Sequence, residues 1–168
     1  MNEISINDLD ELDFSIITML QNDGRKSFTE ISKELAVAVN TVRNHVAKMV
    51  DNGVLTFIAR VPPEKVGFQA YANILIRAEK SLDVDFIAKE VLKYPEVSFV
   101  SLVVGEFDLL LDAMCYNNQH LTDLLTERIQ KIPGVEKTQT IIMVKVLNWE
   151  NPDLVALKEY WANEASSS

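Results

Sequence analysis

The sequence predicts an α+β fold class: an N-terminal winged or helix-turn-helix domain, a linking strand, and a C-terminal ferredoxin-like βαββαβ domain. Three observations predict it. Up to Gly53, apolar residues recur at helical spacing. Beyond Tyr71, strand-length apolar runs alternate with two helical stretches. Between the two regions, "PPEKVGF" interrupts any regular element with two prolines and a glycine. The expected division is residues 1–60, a linker at 61–70, a second domain at 71–148 and a tail at 149–168.

The first helix is expected to start at Asn7, an N-cap followed by Asp8, Asp10 and Glu11 where the helix dipole favours negative charge. Leu9, Leu12, Ile16, Ile17 and Leu20 form its apolar stripe, and "QNDG" ends it at Gly24. In "SFTE", Ser27 and Glu30 stand at capping-box spacing before a short helix that buries Ile31 and Leu35. Then comes "VAVNTVRNHVAKMVDNG", whose Val42, Val46, Met49 and Val50 fall on one helical face. Thr41, Asn44 and Lys48 lie opposite, Arg43 and His45 lie on the flanks, and Gly53 is the stop. Two short helices across a tight turn make a helix-turn-helix pattern. "VLTFIARV" reads as the linking strand.

In the second domain "YANILIRA", "VSFVSLVVG", "DLLLDAMC" and "VEKTQTIIMVKVL" read as strands. "DVDFIAKEVLKY" reads as a helix with Phe86, Ile87, Val91 and Leu92 inward, and "NNQHLTDLLTERIQKI" as a second helix. The order is βαββαβ. Both helices stop at similar punctuation, Pro95 in "KYPEV" and Pro133 in "KIPGV", either from duplication of a βαβ half or from a shared way of ending a helix. In the tail, Pro152 precedes Leu154, Leu157, Tyr160 and Trp161 at amphipathic spacing; this helix would cover its own sheet or a second subunit, with Ser166 to Ser168 disordered.

With 168 residues, 48% of them hydrophobic, the chain can bury a core. Its net charge of -9 excludes general affinity for nucleic acid by the molecule as a whole, because phosphate attraction needs a local positive field. That field exists in one stretch. Residues 1–23 carry six acids and no base, residues 24–60 six bases against three acids, and residues 61–168 ten bases against sixteen acids. Cys115 is the only cysteine, which excludes an intrachain disulfide and suits a reducing compartment; it is expected to be a small buried hydrophobe. The acidic N-terminus lacks the basic and apolar regions of an export signal, and no apolar run approaches the ~20 residues of a membrane span. The cytoplasm is the expected location. The two histidines, His45 and His120, fall in separate domains, and CxxC, HExxH, Walker and GxGxxG patterns are absent, so no enzyme activity, catalytic residue, metal or cofactor is predicted.

Three blocks in series, "LDELDFSIITMLQNDGRKSFTEISKELAVAVNTVRNHVAKMVDNGVL", "VGEFDLLLDA" and "IPGVEKTQT", resemble the Lrp/AsnC (feast/famine) family of transcription regulators over roughly residues 8–148. The resemblance implies a DNA-binding domain, a linking strand, and a βαββαβ domain that dimerises, assembles further and binds amino acids or related small molecules. Two departures stand out. Where the family commonly has Gly-Leu-Ser, this chain has Ala36, Val37 and Ala38, so Asn40 is expected to replace the missing cap. The outer face of the recognition helix is also less basic than usual, with Asn44 and His45 there, which implies weaker or differently selective DNA binding.

The residues themselves support a DNA reading. Arg43 can donate to guanine, Asn44 to adenine, and Thr41 to a phosphate or against a thymine methyl, with Asn40 and His45 beside them. Arg25, Lys26, Lys48 and Arg60 would hold phosphates. An ordinary solvated helix face would look the same in isolation. For an effector, the matching positions are Gly105, Glu106, Asp108, Thr138 and Thr140: amides near Gly105 suit a carboxylate, and the acids suit an ammonium. The competing reading is a plain hairpin turn beside a half-solvated strand. Asp112, on a face with Leu110 and Met114, points to an interface or to a cationic partner such as Arg77. Two other functions share this fold: a sensor or assembly partner that no longer binds DNA, and a siroheme-decarboxylase-like enzyme, whose C-terminal His and Arg groups this chain does not show.

Overall fold

The computed structural model describes residues 9–79, 83–147 and 152–165. Along the chain run α1 (Glu11–Asn22), α2 (Phe28–Glu34), α3 (Val39–Asp51), β1 (Ala70–Ala78), α4 (Val84–Val91), β2 (Val97–Leu102), β3 (Leu109–Cys115), α5 (Asn118–Asp123 and its continuation), β4 (Val135–Ile142) and α6 (Leu154–Ala165). They form two units, residues 1–59 with 149–168, and residues 60–148.

The first unit is helical. Asn7 lies outside the described residues, and Asp10 caps α1 in a reciprocal box with Asp13. Ser27 and Glu30 close the expected box on α2. Ile16, Ile17, Leu20, Ile31, Val42, Val46 and Met49 fill the core, with Leu9, Leu12 and Leu35 at its margin. Val50, expected inside, is exposed, because it lies past the edge of the Val42, Val46, Met49 stripe. The chain leaves α2 and α3 by the same route. After α3, the Val54 N–H donates to the Met49 carbonyl (2.8 Å) and Gly53 takes a positive φ of 73°. After α2, the Val37 N–H donates to the Ser32 carbonyl (3.0 Å) and Ala36 takes a φ of 54°. An alanine therefore holds the left-handed position that glycine would hold at lower cost.

Two further expectations fail here. Asn40 does not cap α3; the cap residue is Ala38, which offers no side-chain acceptor, and Asn40 sits inside the first turn. "VLTFIARV" forms no strand, since residues 55–62 have no ladder partner among the described residues. The tail belongs with this unit, not with the sheet: Leu154 joins the helical core, Lys158 pairs with Glu11, and its ammonium lies 4.3 Å above the Phe14 ring. Asp153 caps α6, accepting from the N–H groups of Val155 and Ala156 at 3.0 Å. The Trp161 side chain and Ser166 to Ser168 lie outside what is described.

The second unit is a four-stranded antiparallel sheet, order β2-β3-β1-β4, as the βαββαβ reading requires. One face of β1 and β3 (Ala72, Ile74, Ile76, Leu109, Leu111, Ala113) packs under Ile87 and Val91 of α4 and Leu121, Leu124 and Ile129 of α5. Phe86 and Leu92, expected inward, are exposed; Val84, Ile87, Ala88 and Val91 form the inner stripe instead. Beyond Asp123, α5 widens into a π turn over Leu124–Arg128 and tightens into a 3-10 turn over Ile129–Lys131. The cause is the spacing of its buried residues: Leu124 and Ile129 are five apart, and a widened turn brings both to the sheet. Tyr71, Asn73, Leu75, Arg77, Leu110, Asp112 and Met114 point to the other face, where they are half-buried. No helix among the described residues is long and apolar enough to cross a membrane.

Candidate functional site

The outer face of α3 is built by subtraction. Val42, Val46 and Met49 turn it into the core, which leaves Asn40, Arg43, Asn44 and Lys48 exposed together. The Arg43 guanidinium donates to the Asn40 side-chain oxygen at 3.3 Å, so the two polar groups are paired along the helix. Thr41 is half-buried on the flank. Arg25 projects from the turn before α2, 97% exposed and 3.9 Å from Asp23.

Other predicted contacts are placed differently. Lys26 pairs with Glu34 at 2.7 Å, so its charge is already matched. Arg60 begins the second unit, where its charge acts on the Tyr71 phenol. His45 is withdrawn from the outer face of α3: its Nδ1 lies 2.7 Å from a carboxylate oxygen of Asp13, which is 2% exposed. Asp10, Asp13 and His45 bring three potential metal ligand atoms within 4.8 Å. The Asp10 and Asp13 carboxylates already accept backbone N–H groups in the α1 cap, at 2.8 and 3.1 Å, which reduces what they can offer a cation.

At the hairpin between β2 and β3, Gly105 takes a φ of 150°, and apart from its chain neighbours no heavy atom of the described residues comes within 4 Å of where a Cβ would be. Backbone conformation, not a close neighbour among the described residues, calls for glycine there. Asp108 is structural: its carboxylate accepts the Ala78 N–H at 2.8 Å, where the β1–β4 register shifts, and its own N–H donates to the Ile76 carbonyl at 2.9 Å. Glu106 is exposed and accepts from Lys137 at 2.9 Å, with Arg77 3.8 Å away and Glu136 3.2 Å beyond it. Lys137, first by its hydrogen bond and then by its charge, holds the Glu106 carboxyl below the usual range. Two acids and two bases thus meet at one end of the sheet. That set is suited to a zwitterion, with cations for a carboxylate and carboxylates for an ammonium.

Thr138 and Thr140 are not part of this cluster. They pair in register with Ile76 and Ile74 and so face the helices, and the Thr138 hydroxyl accepts from Gln130 at 2.8 Å. The sequence reading did not bring Arg77, Glu136 and Lys137 to Glu106. The period of two along β4 is the signal for Lys137, which lies directly opposite Arg77; Glu136 arrives through the register shift beside it, which no period shows. Asp112 is not paired with Arg77; it accepts from the Tyr71 hydroxyl at 3.1 Å and from the Asn73 amide. Burial first, then the Asp112 charge, pushes the Tyr71 phenol up to about 12.

A second polar cluster lies at the opposite end of the sheet. Glu96 accepts on one carboxylate oxygen from Arg128 at 2.7 Å and pairs with His120 at 3.0 Å, while Arg128 stacks 4.3 Å over Tyr94. The π turn of α5 carries Arg128 to this place.

Comparison with known proteins completes the picture. The family model described as "Lrp/AsnC ligand binding domain" matches residues 69–151, and that described as "Winged helix-turn-helix DNA-binding" matches residues 9–56. The chain is 36% identical over 143 residues to the HTH-type transcriptional regulator PH0140 of Pyrococcus horikoshii, covering 84% of this chain and 90% of that one. It is 36% identical over 138 residues to the HTH-type transcriptional regulator FL11 of the same organism, covering 82% and 90%. Among solved structures, E. coli AsnC superposes with a TM-score of 0.80 at 23% identity, over 86% of this chain and 98% of AsnC. A transcriptional regulator of Neisseria meningitidis in complex with L-Met superposes with a TM-score of 0.78 at 26% identity, over 85% and 94%. The chain therefore belongs to the Lrp/AsnC family of DNA-binding helix-turn-helix transcriptional regulators.

Proposed function

We propose that this regulator binds pseudo-palindromic double-stranded DNA as a homodimer or larger homo-oligomer in the cytoplasm, and that an amino acid or related metabolite at the Gly105 hairpin tunes that binding. The observation that carries the DNA reading is the joint exposure of Asn40, Arg43, Asn44 and Lys48 on α3, opposite a fully buried stripe. Arg43 and Asn44 would read bases; Lys48 and Arg25 would hold phosphates. Two-fold symmetry of the protein would call for two related half-sites. Homo-oligomer formation is supported by the apolar side chains of Phe57, Ile58 and Val61, which a monomer leaves exposed. The effector class is supported by the Glu106, Lys137, Arg77 and Glu136 cluster, and by the L-Met bound to the Neisseria relative.

Anisotropy titration of a duplex from the region upstream of the protein's own coding sequence tests the DNA reading. Arg43→Ala is expected to cost about 1–3 kcal/mol and to flatten sequence preference, while Lys48→Ala lowers the slope of log affinity against log salt by about one contact. Absence of binding by the wild type at low salt would sink this reading. Thermal shift against the twenty amino acids tests the effector: binding is expected to raise the midpoint for at least one of them, and Lys137→Ala to abolish that rise.

A further inference from the structure

The packing of α3 on its neighbours is almost entirely apolar. Val42, Val46 and Met49 meet Ile16, Ile17, Leu20 and Ile31 through contacts without direction, which resist separation much more than a small slide or rotation. Among the described residues, His45 makes the one side-chain hydrogen bond between α3 and the other two helices of the motif, and the Lys48 charge acts on the Asp10 carboxylate beside it. Its Nδ1 is 2.7 Å from one oxygen of Asp13 and 4.0 Å from Asp10. The other Asp13 oxygen accepts the Asp10 N–H at 3.1 Å, so the carboxylate is itself fixed to the first turn of α1.

We infer that His45 is a positioning residue for DNA recognition: with buried Asp13 it sets the angle and register of α3, and so aims Arg43 and Asn44, without itself touching DNA. A carboxylate 2% exposed needs its donors, and its own needs hold the imidazole in return. The His45 side chain is only 24% exposed, while Asn44 and Arg43, one and two residues before it, stand outside. The inference rests on α3 being the recognition helix. Displacement of that helix by a fraction of an ångström would misalign two side chains whose hydrogen bonds to bases depend on direction.

The experiment uses the full chain and the promoter duplex named above, at a temperature where circular dichroism shows every variant folded. Asp13 is buried, so a loss caused by Asp13→Ala is not a lost DNA contact; because Asp13 also accepts the Asp10 N–H in the α1 cap, Asp13→Asn, which keeps a carbonyl acceptor for that N–H, is the milder companion. His45→Phe and Asp13→Ala are each expected to weaken binding on the order of tenfold with the salt slope unchanged, and the double variant to be no worse than either. His45→Asn, which restores an N–H donor, is expected to recover most of the affinity. The proposal is overturned if His45→Phe lowers the salt slope by about one contact while Asp13 variants bind normally, because His45 then holds a phosphate. It is equally overturned if His45→Phe binds like the wild type, or if His45→Asn is as weak as His45→Phe. A wild type that binds no DNA removes the recognition reading itself, a different failure from variants that match a binding wild type.

Discussion

Ala36 and Ala38 show how a helix turn survives without its usual residues. The Val37 N–H still reaches the Ser32 carbonyl, so the turn closes, but alanine bears the strain of a φ of 54° and the first turn of α3 lacks a side-chain cap. Ala36→Gly is expected to stabilise the first unit by about 0.5–1 kcal/mol, and Ala38→Ser by about 1 kcal/mol, read as higher urea midpoints. The turn was legible in the sequence; its cap was not. Asn40 is a good capping residue, but the Schellman closure at Ala36 and Val37 starts the helix early and leaves Asn40 in the first turn, bonded to Arg43. Cys115 was legible as a buried hydrophobe. Burial, followed by the nearby Glu96 charge, pushes its thiol up to about 11, so little thiolate exists near neutral pH. Its alkylation is expected to be roughly 100-fold slower in the native protein than in the urea-unfolded chain.

Elements were read well by period and less well by phase. Alternation along β1 and β3 named their buried residues, because a strand offers only two faces. A helix offers a continuous choice, and Val50, Phe86 and Leu92 show that the sequence stripe was drawn one residue too wide. The π turn in α5 was hidden for a related reason: its buried residues are five apart, a spacing outside either template. Its consequence is electrostatic. Burial opposes ionisation of Glu96, but hydrogen bonds from Arg128, its own backbone and His120, with the Arg128 charge, hold its carboxyl below the ordinary 4.5. A carboxyl with a lower value in the folded chain adds stability above the unfolded value and loses it as pH falls through the folded one. Glu96→Gln is therefore expected to cost about 1–2 kcal/mol near neutral pH and to flatten the loss of stability below about pH 4.5, measured by urea unfolding across pH.

At the scale of the whole molecule, the βαββαβ order was legible because strands and helices alternate with clear punctuation, and the antiparallel order β2-β3-β1-β4 follows from it. The linking strand was not, since "VLTFIARV" has strand composition but no partner strand among the described residues. The tail was half legible. Its helix was expected from Pro152 and the apolar spacing, but the address was not, because an amphipathic stripe does not say which surface it covers. Leu154→Ala is expected to destabilise the first unit by about 1–2 kcal/mol and to leave the sheet's unfolding unchanged, read by hydrogen exchange resolved by segment.

The return of α6 to α1 also orders events in time. The first unit is discontinuous: residues 60–148, about 90 of them, are synthesised before Leu154 and Lys158 exist to cover α1. At roughly 5–20 residues per second that interval is about 5–20 s. Through it α3 belongs to a three-helix body whose Phe14 ring has no Lys158 above it. The helical unit is begun before the sheet and completed after it.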